Sequence, residues 1–283
     1  MRTSELRESV SFRRRADLPG IEIRDVENSA RNWRCFSTGF EFLAPRSWTG
    51  EILYRRRRDT VAPGMIFCSH PGEVFSTPRV HQAGSGSALV IEPDVLHDYL
   101  SEHSPSPRRV ELRRFTRMSN AMMARFSRLS RAMTSATTLL EVQSSVVSFL
   151  GVVMNELDEG PRGGAGLRAA DRDPSAAERV RDRLHDDPEV DLDGLARQAR
   201  LSRFQVLRAF KRRYGMPPHA YQLCTRIGMA QRALKAGQAP ADVAAQFGFV
   251  DQSHLCRHFK RLVGITPGRY ARAADSNPSA EVP

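Results

Sequence analysis

The sequence reads as an α+β protein of two domains, with a β-barrel or sandwich and a helix pair first and an all-α part last. Three observations predict this. The 283 residues suffice for two cores of ordinary size. Short runs broken by turn residues occupy the stretch from Ile21 to Ile91, and apolar spacing of three and four takes over from Met118. The excess positive charge also lies at one end. Arg197 to Arg272 holds fifteen basic and two acidic residues, a net of +13, against +11 for the whole chain. The remainder is therefore slightly acidic. A basic stretch so localised is the footprint of a polyanion partner, although a solvated basic face would look the same.

The first elements follow in order. Met1 to Leu18 is polar, carries Arg13-Arg14-Arg15, and reads as an arm with no apolar run of signal-peptide length. Cys35 to Leu43, Glu51 to Arg57 and Met65 to Ser69 are candidate strands. Pro63-Gly64, Pro71-Gly72 and Gly84-Ser85-Gly86 punctuate them as turns. Such spacing suits a small barrel or sandwich. The Arg55 to Arg58 run reads as a solvated strand end.

Helical periodicity then appears at Met118, Met122, Phe126, Leu129 and Met133. It resumes at Leu139, Val142, Val146, Phe149, Val153 and Leu157. These two amphipathic helices would pack on the barrel or offer a dimer face. A domain over 19–157 results. Residues 158–173, rich in glycine, form a linker. Residues 174–273 form the helical domain, and the polar tail begins at Ala274. The nearly apolar stretch Val146 to Met154 is too short to span a bilayer. Four scattered cysteines without CxxC spacing fit reduced thiols in a cytoplasm.

The helical domain contains a repeat. Phe210-Lys211-Arg212, Gly215, Pro218 and Tyr221 recur as Phe259-Lys260-Arg261, Gly264, Pro267 and Tyr270, with one offset of 49 residues throughout. Upstream of each copy stand a short helix, a tight turn and a longer helix. In the first copy these are Leu192 to Ala199, a turn at Leu201-Ser202, and Arg203 to Tyr214 capped by Ser202. In the second, Pro240 starts a helix over Ala241 to Phe247, Gly248 turns the chain, and Asp251 caps a helix running to Val263. This is helix-turn-helix order. Leu195, Leu201, Val206 and Phe210 would lock one unit, and Val243, Phe249, Leu255 and Phe259 the other.

The outer faces of the longer helices then carry Arg203, Phe204, Leu207, Arg208 and Lys211 in one unit. In the other they carry Gln252, Ser253, Cys256, Arg257 and Lys260. Arginine can bond guanine edges bidentately, glutamine can do so with adenine, and apolar groups can meet thymine methyls. Lys211, Arg212, Lys260 and Arg261, nearer the helix ends, suit phosphates, with Ser202, Arg203 and Ser253 beside them. A helix over Pro218 to Ala236, closed by Gly237, would link the units. Its length of about 28 Å approaches the ~34 Å between successive major-groove faces.

Asp191 to Tyr221 and Pro240 to Tyr270 resemble the DNA-binding domain of the AraC/XylS family of transcription regulators. The string GFVDQSHLCRHFKRLVGITPGRY, Gly248 to Tyr270, carries that family's signature nearly throughout. The resemblance implies a double helix-turn-helix domain bound to double-stranded promoter DNA. It implies base-facing roles for Phe204, Leu207, Arg208, Gln252, Cys256 and Arg257. RNA polymerase, a small-molecule effector and a second copy of the chain are the further partners expected. Two departures stand out. Arg200 occupies a turn position where the family usually has glycine, and Leu207 and Cys256 replace more polar residues.

Gly50 to Gly72, with TVAPGMIFCSHPGEV from Thr60, resembles the cupin-like ligand-binding barrel common in that family. The resemblance suggests an effector pocket, for which Trp48, Tyr54, His70 and Phe75 are candidates. Many cupins are metal enzymes, so an enzyme with a DNA-binding tail is an alternative, as is a regulator without an effector. His70, His81 and His97 lack the His-x-His neighbours of a metal cupin. His254 and His258 share one helix side but have no third ligand. No metal, no cofactor and no catalytic residue is expected.

Overall fold

In the computed structural model, residues 8–103, 110–133, 138–158, 176–187 and 190–273 are described. The strands are β1 (Ser9–Arg13), β2 (Ile21–Ser29), β3 (Arg34–Phe36), β4 (Phe40–Pro45), β5 (Thr49–Tyr54), β6 (Arg57–Val61), β7 (Met65–Ser69), β8 (Val74–Gln82), β9 (Gly84–Ile91) and β10 (Phe115–Arg117). They form two antiparallel sheets, β1-β2-β9-β4-β7-β10 and β3-β8-β5-β6. Side-chain alternation explains the layering. In β7, Ile66 and Cys68 face a cluster shared with the helices, while Phe67 faces a second cluster with Cys35, Trp48, Ile52, Tyr54, Val61 and Phe75. One strand thus feeds two cores.

The first cluster is closed by α1 (Pro93–His103), α2 (Asn120–Ala132) and α3 (Leu139–Leu157). Phe149 of α3 meets Phe42 and Phe126 edge-on, with ring centroids 5.4 and 5.9 Å apart. The helix pair therefore packs on the six-stranded sheet, as one of its two sequence readings had it. Leu139, Leu140 and Val147 of α3 and Met123 of α2 stay exposed.

Three sequence expectations change here. The run from Cys35 to Leu43 divides between β3 and β4, in different sheets. At the corner between them, a Cβ added to Gly39 would lie 2.3 Å from the Ile91 carbonyl oxygen, so that position requires glycine. The arm is shorter than its polarity suggests, since residues 9–13 pair with β2 and bury Val10 and Phe12. The strand-end arginines are also not all solvated. Arg55 pairs with Glu73 and Glu111. From Glu159 onward, the linker expected over 158–173 lies outside the described residues, as does the tail from Ala274.

The C-terminal helices are α4 (Ala176–Asp186), α5 (Leu192–Ala199), α6 (Arg203–Tyr214), α7 (Pro218–Lys235), α8 (Pro240–Gln246), α9 (Gln252–Val263) and α10 (Pro267–Arg272). Local chemistry sets their ends. Asp191 caps α5 through the Gly194 amide, Asp251 caps α9 through the His254 amide, and Ser202 with Gln205 forms a capping box on α6. Proline opens α7, α8 and α10, where a missing N–H costs nothing.

Arg200 adopts the left-handed conformation with φ of 54°, and Gly248 holds the matching place in the second unit at 70°. Left-handed backbone costs a non-glycine residue roughly 1–2 kcal/mol, part of which glycine returns through unfolded-chain entropy. Arg200→Gly should therefore stabilise the protein by about 0.5–1 kcal/mol. A lower urea midpoint for that variant would show that the arginine side chain contributes more than the backbone relief.

Candidate nucleic-acid interface

The two helix-turn-helix units are built alike. In the first, the Leu201 amide donates to the Ala196 carbonyl, and in the second the Phe249 amide donates to that of Ala244. Val206 and Phe210 are buried in one unit, Leu255 and Phe259 in the other. Each phenylalanine packs on the tyrosine that ends its repeat, Phe210 on Tyr221 at 5.3 Å and Phe259 on Tyr270 at 5.2 Å between centroids. The second turn is one residue longer, which leaves Val250 86% exposed.

With those faces inward, the opposite faces are presented outward. On α6, Phe204 and Arg208 are exposed, Leu207 is half-buried, and the Arg208 guanidinium lies 5.6 Å from the Phe204 ring centroid. On α9, Gln252 and Arg257 are exposed and Cys256 is half-buried. Ser202, Arg203, Lys211, Arg212, Ser253, Lys260 and Arg261 are all exposed around these positions. Arg203 pairs with Asp193, which lowers the carboxyl pKa of Asp193 through the hydrogen bond from the guanidinium. Arg261 donates to His258 Nδ1 at 2.9 Å, and the His258 and His254 Nε2 atoms lie 2.9 Å apart. Among the described residues, no group of three or more metal-ligating side chains occurs. Helix α7, at about 1.5 Å per residue, is roughly 27 Å long and separates the units as the sequence implies.

The four effector candidates meet, but as a closed cluster. Trp48, Tyr54, His70 and Phe75 are all buried. The Tyr54 and Phe75 rings pack on Phe67 at 5.3 and 4.9 Å. The Leu112 amide donates to His70 Nε2 at 3.1 Å. That nitrogen must therefore accept, so the ring proton sits on Nδ1 and is donated to the Tyr54 hydroxyl, 3.1 Å away. Two small cavities lie elsewhere, at the domain boundary. One is lined by Arg24, Arg34, Cys35 and Cys224 among others, the second by Arg55, Arg56, Arg213 and Tyr214 among others.

That boundary is what sequence reading missed. The tyrosines closing the two repeats both reach out of the helical domain. Tyr221 donates to the Gly72 carbonyl at 2.6 Å, and Tyr270 donates to Glu22 at 3.2 Å. Since the Tyr221 proton is committed, His185 Nε2, 3.0 Å away, donates to that hydroxyl. Burial first, then Arg181, lowers the pKa of His185 and keeps it neutral. Arg14 stacks 3.9 Å from the Tyr270 ring centroid, donates to the Tyr270 carbonyl at 2.9 Å and pairs with Glu22. Lys235 bridges Glu22 and Glu92 at 3.4 Å each. Burial would raise the Glu22 carboxyl, but Lys235 and Arg14 outweigh it and hold that group below its ordinary range. The signal available in the sequence was the Arg13-Arg14-Arg15 run, in which Arg14 reaches Tyr270 and Arg13 reaches Asp25 and Ser130, while Arg15 pairs locally with Asp17.

Comparison with known proteins agrees with this geometry. A helix-turn-helix domain family matches residues 195–273. A putative AraC-like transcription regulator of Streptomyces antibioticus is 33% identical over 140 residues, 48% of this chain and 46% of that protein. The chain thus spans about half the length of that curated relative. The fold is shared with ToxT from Vibrio cholerae O395, at TM-score 0.52 and 11% identity over 91% of this chain and 99% of that one. It is shared as well with unsaturated fatty acid-bound ToxT of Vibrio cholerae strain SCE256, at TM-score 0.51 and 13% identity over 95% and 97%. Among the described residues, no helix is long and apolar enough to cross a membrane. Residues 195–273 thus form a domain of that helix-turn-helix family, and over about half of its length the chain is similar to AraC-like transcription regulators.

Proposed function

We propose that the protein is a sequence-specific transcription regulator that grips promoter DNA with α6 and α9. The observation that carries this reading is the pair of equivalent helices, each with its inner face locked by a buried phenylalanine and its outer face bearing an exposed arginine. Phe204, Leu207, Arg208, Gln252, Cys256 and Arg257 face bases. Ser202, Arg203, Lys211, Arg212, Ser253, Lys260 and Arg261 lie along the phosphates. Cationic side chains on a fixed frame favour DNA by releasing its counterions, and base edges in the major groove add discrimination.

The regulator works in the cytoplasm, recruits or blocks RNA polymerase, and answers to a small molecule. ToxT, which shares the fold, has been crystallised with an unsaturated fatty acid. In this chain an effector among Trp48, Tyr54, His70 and Phe75 acts by opening the second cluster, and so must bind two states unequally. The exposed apolar residues Leu139, Leu140, Val147 and Met123 form the dimer face.

Selection of bound fragments from genomic DNA tests the central claim. Arg208→Ala or Arg257→Ala should then cost about 1–3 kcal/mol at particular base pairs of the selected site. An equal loss on every DNA sequence would reassign them to phosphates. No preference among sequences in the native protein would end the proposal.

A further inference from the structure

The tip of the β5–β6 hairpin meets the end of α6 in a cleft walled by Arg55, Arg56 and Glu73 from the barrel and by Arg213, Tyr214 and Gly215 from the first helix-turn-helix unit. Three guanidinium groups stand there against one carboxylate. Arg55 is engaged by Glu73 at 2.7 Å and by Glu111. Arg213 is only loosely held, 3.7 Å from Glu178. Arg56 is exposed and has no ion pair among the described residues. The hydroxyl of Tyr214 is buried and has no hydrogen-bond partner among them.

The backbone adds a second, independent observation. Arg55 and Arg56 have φ of 45° and 68°. Two-residue hairpin turns with both residues at positive φ are the province of Asn-Gly, because an ordinary side chain strains there. Such strain persists where the surroundings use it, commonly at ligand sites. Here it delivers two guanidinium groups to the mouth of a cleft that already holds a third. Planar guanidinium forks match oxyanions in charge and shape.

We propose that this cleft binds a small oxyanion, a phosphoryl or carboxylate group, that bridges the barrel and the first helix-turn-helix unit. The rim donors are Arg56 and Arg213. The Tyr214 hydroxyl donates from below once those side chains shift to admit the group. The cleft is narrow and open on one side, so a charged head enters it only as Arg56 and Arg213 move aside, with the rest of the molecule outside. A ligand contacting both domains favours their docked arrangement by mass action. Binding itself is independent of the function proposed above, and only its effect on DNA rests on that reading.

The test is the thermal midpoint of the full chain titrated with millimolar inorganic phosphate or acetate, against chloride at equal ionic strength. The native protein should rise above the chloride control. A rise with phosphate alone assigns a phosphoryl group, and a rise with acetate alone a carboxylate. Tyr214→Phe should unfold no earlier than the native chain without anion, because it removes a hydroxyl that has no partner. It should still lose at least half of the anion-induced rise, as should Arg56→Gln. Arg208→Ala and Lys260→Ala, on the exposed helix faces, should keep all of it. Equal rises in the native chain, Tyr214→Phe and Arg56→Gln would show general salt exclusion and overturn the site. So would no rise above chloride, or an earlier midpoint for Tyr214→Phe without anion.

Discussion

Phe259→Ala lowers the stability of the C-terminal domain by about 3–5 kcal/mol, the range for removing a buried phenyl ring. Phe259 is fully buried, against Leu255, Val243, Leu234 and the ring of Tyr270. Its removal leaves a cavity at a junction of four helices of the helical domain, α7 to α10, and one strand of the barrel, since Phe12 of β1 meets Tyr270 at 4.9 Å on the other side. Helices fixed by capping and by each other collapse little into such a gap, so the cavity part of the cost is retained. Urea unfolding followed by circular dichroism gives the total. Fluorescence reports the boundary, because Trp33 packs against the same cluster. Phe210→Ala, the same change in the other unit, should cost a similar amount. Phe204→Ala, at 65% exposure, should stay within about 0.5 kcal/mol while still impairing DNA binding. A loss below about 1 kcal/mol for Phe259→Ala would mean that the unit repacks, contrary to the rigid frame on which the proposed DNA contacts depend.

Arg24→Met costs a comparable amount for an electrostatic reason. Arg24 of β2 pairs with Glu41 of β4, whose side chain is only 2% exposed. Burial pushes the Glu41 carboxyl up and Arg24 opposes that push. Without the guanidinium, Glu41 must stay charged without a partner or take up a proton, and breaking such a buried pair costs about 3–5 kcal/mol. The double change Arg24→Met with Glu41→Leu should recover most of the loss, because desolvation of both charges is avoided. If the double variant is no more stable than the single one, the pair is not the source of the effect and packing of the arginine stem is.

Much of the C-terminal domain was legible from residue order alone. The bounds of α5, α6 and α9, the caps Ser202 and Asp251, and the inward set led by Phe210 and Phe259 all follow from local rules, since periodicity and capping act within a few residues of one another; the turn at Arg200 was marked only by the family resemblance. The helix over Leu139–Leu157 followed in the same way. What tertiary structure alone decided was which surfaces meet. Nothing local in Ser9–Arg13 marks a strand, since it becomes one by pairing with β2 and by burying Val10 and Phe12 against the helical domain. The α1 helix and β10 likewise carry too short or too polar a pattern to be recognised before the sheet covers them.

The repeat announced Tyr221 and Tyr270 as equivalent, yet not that both would hydrogen-bond across the domain boundary to Gly72 and Glu22. Periodicity records which face of an element avoids water. It holds no record of which distant element provides the shelter, because that choice is made by the summed fit of surfaces far apart in the chain.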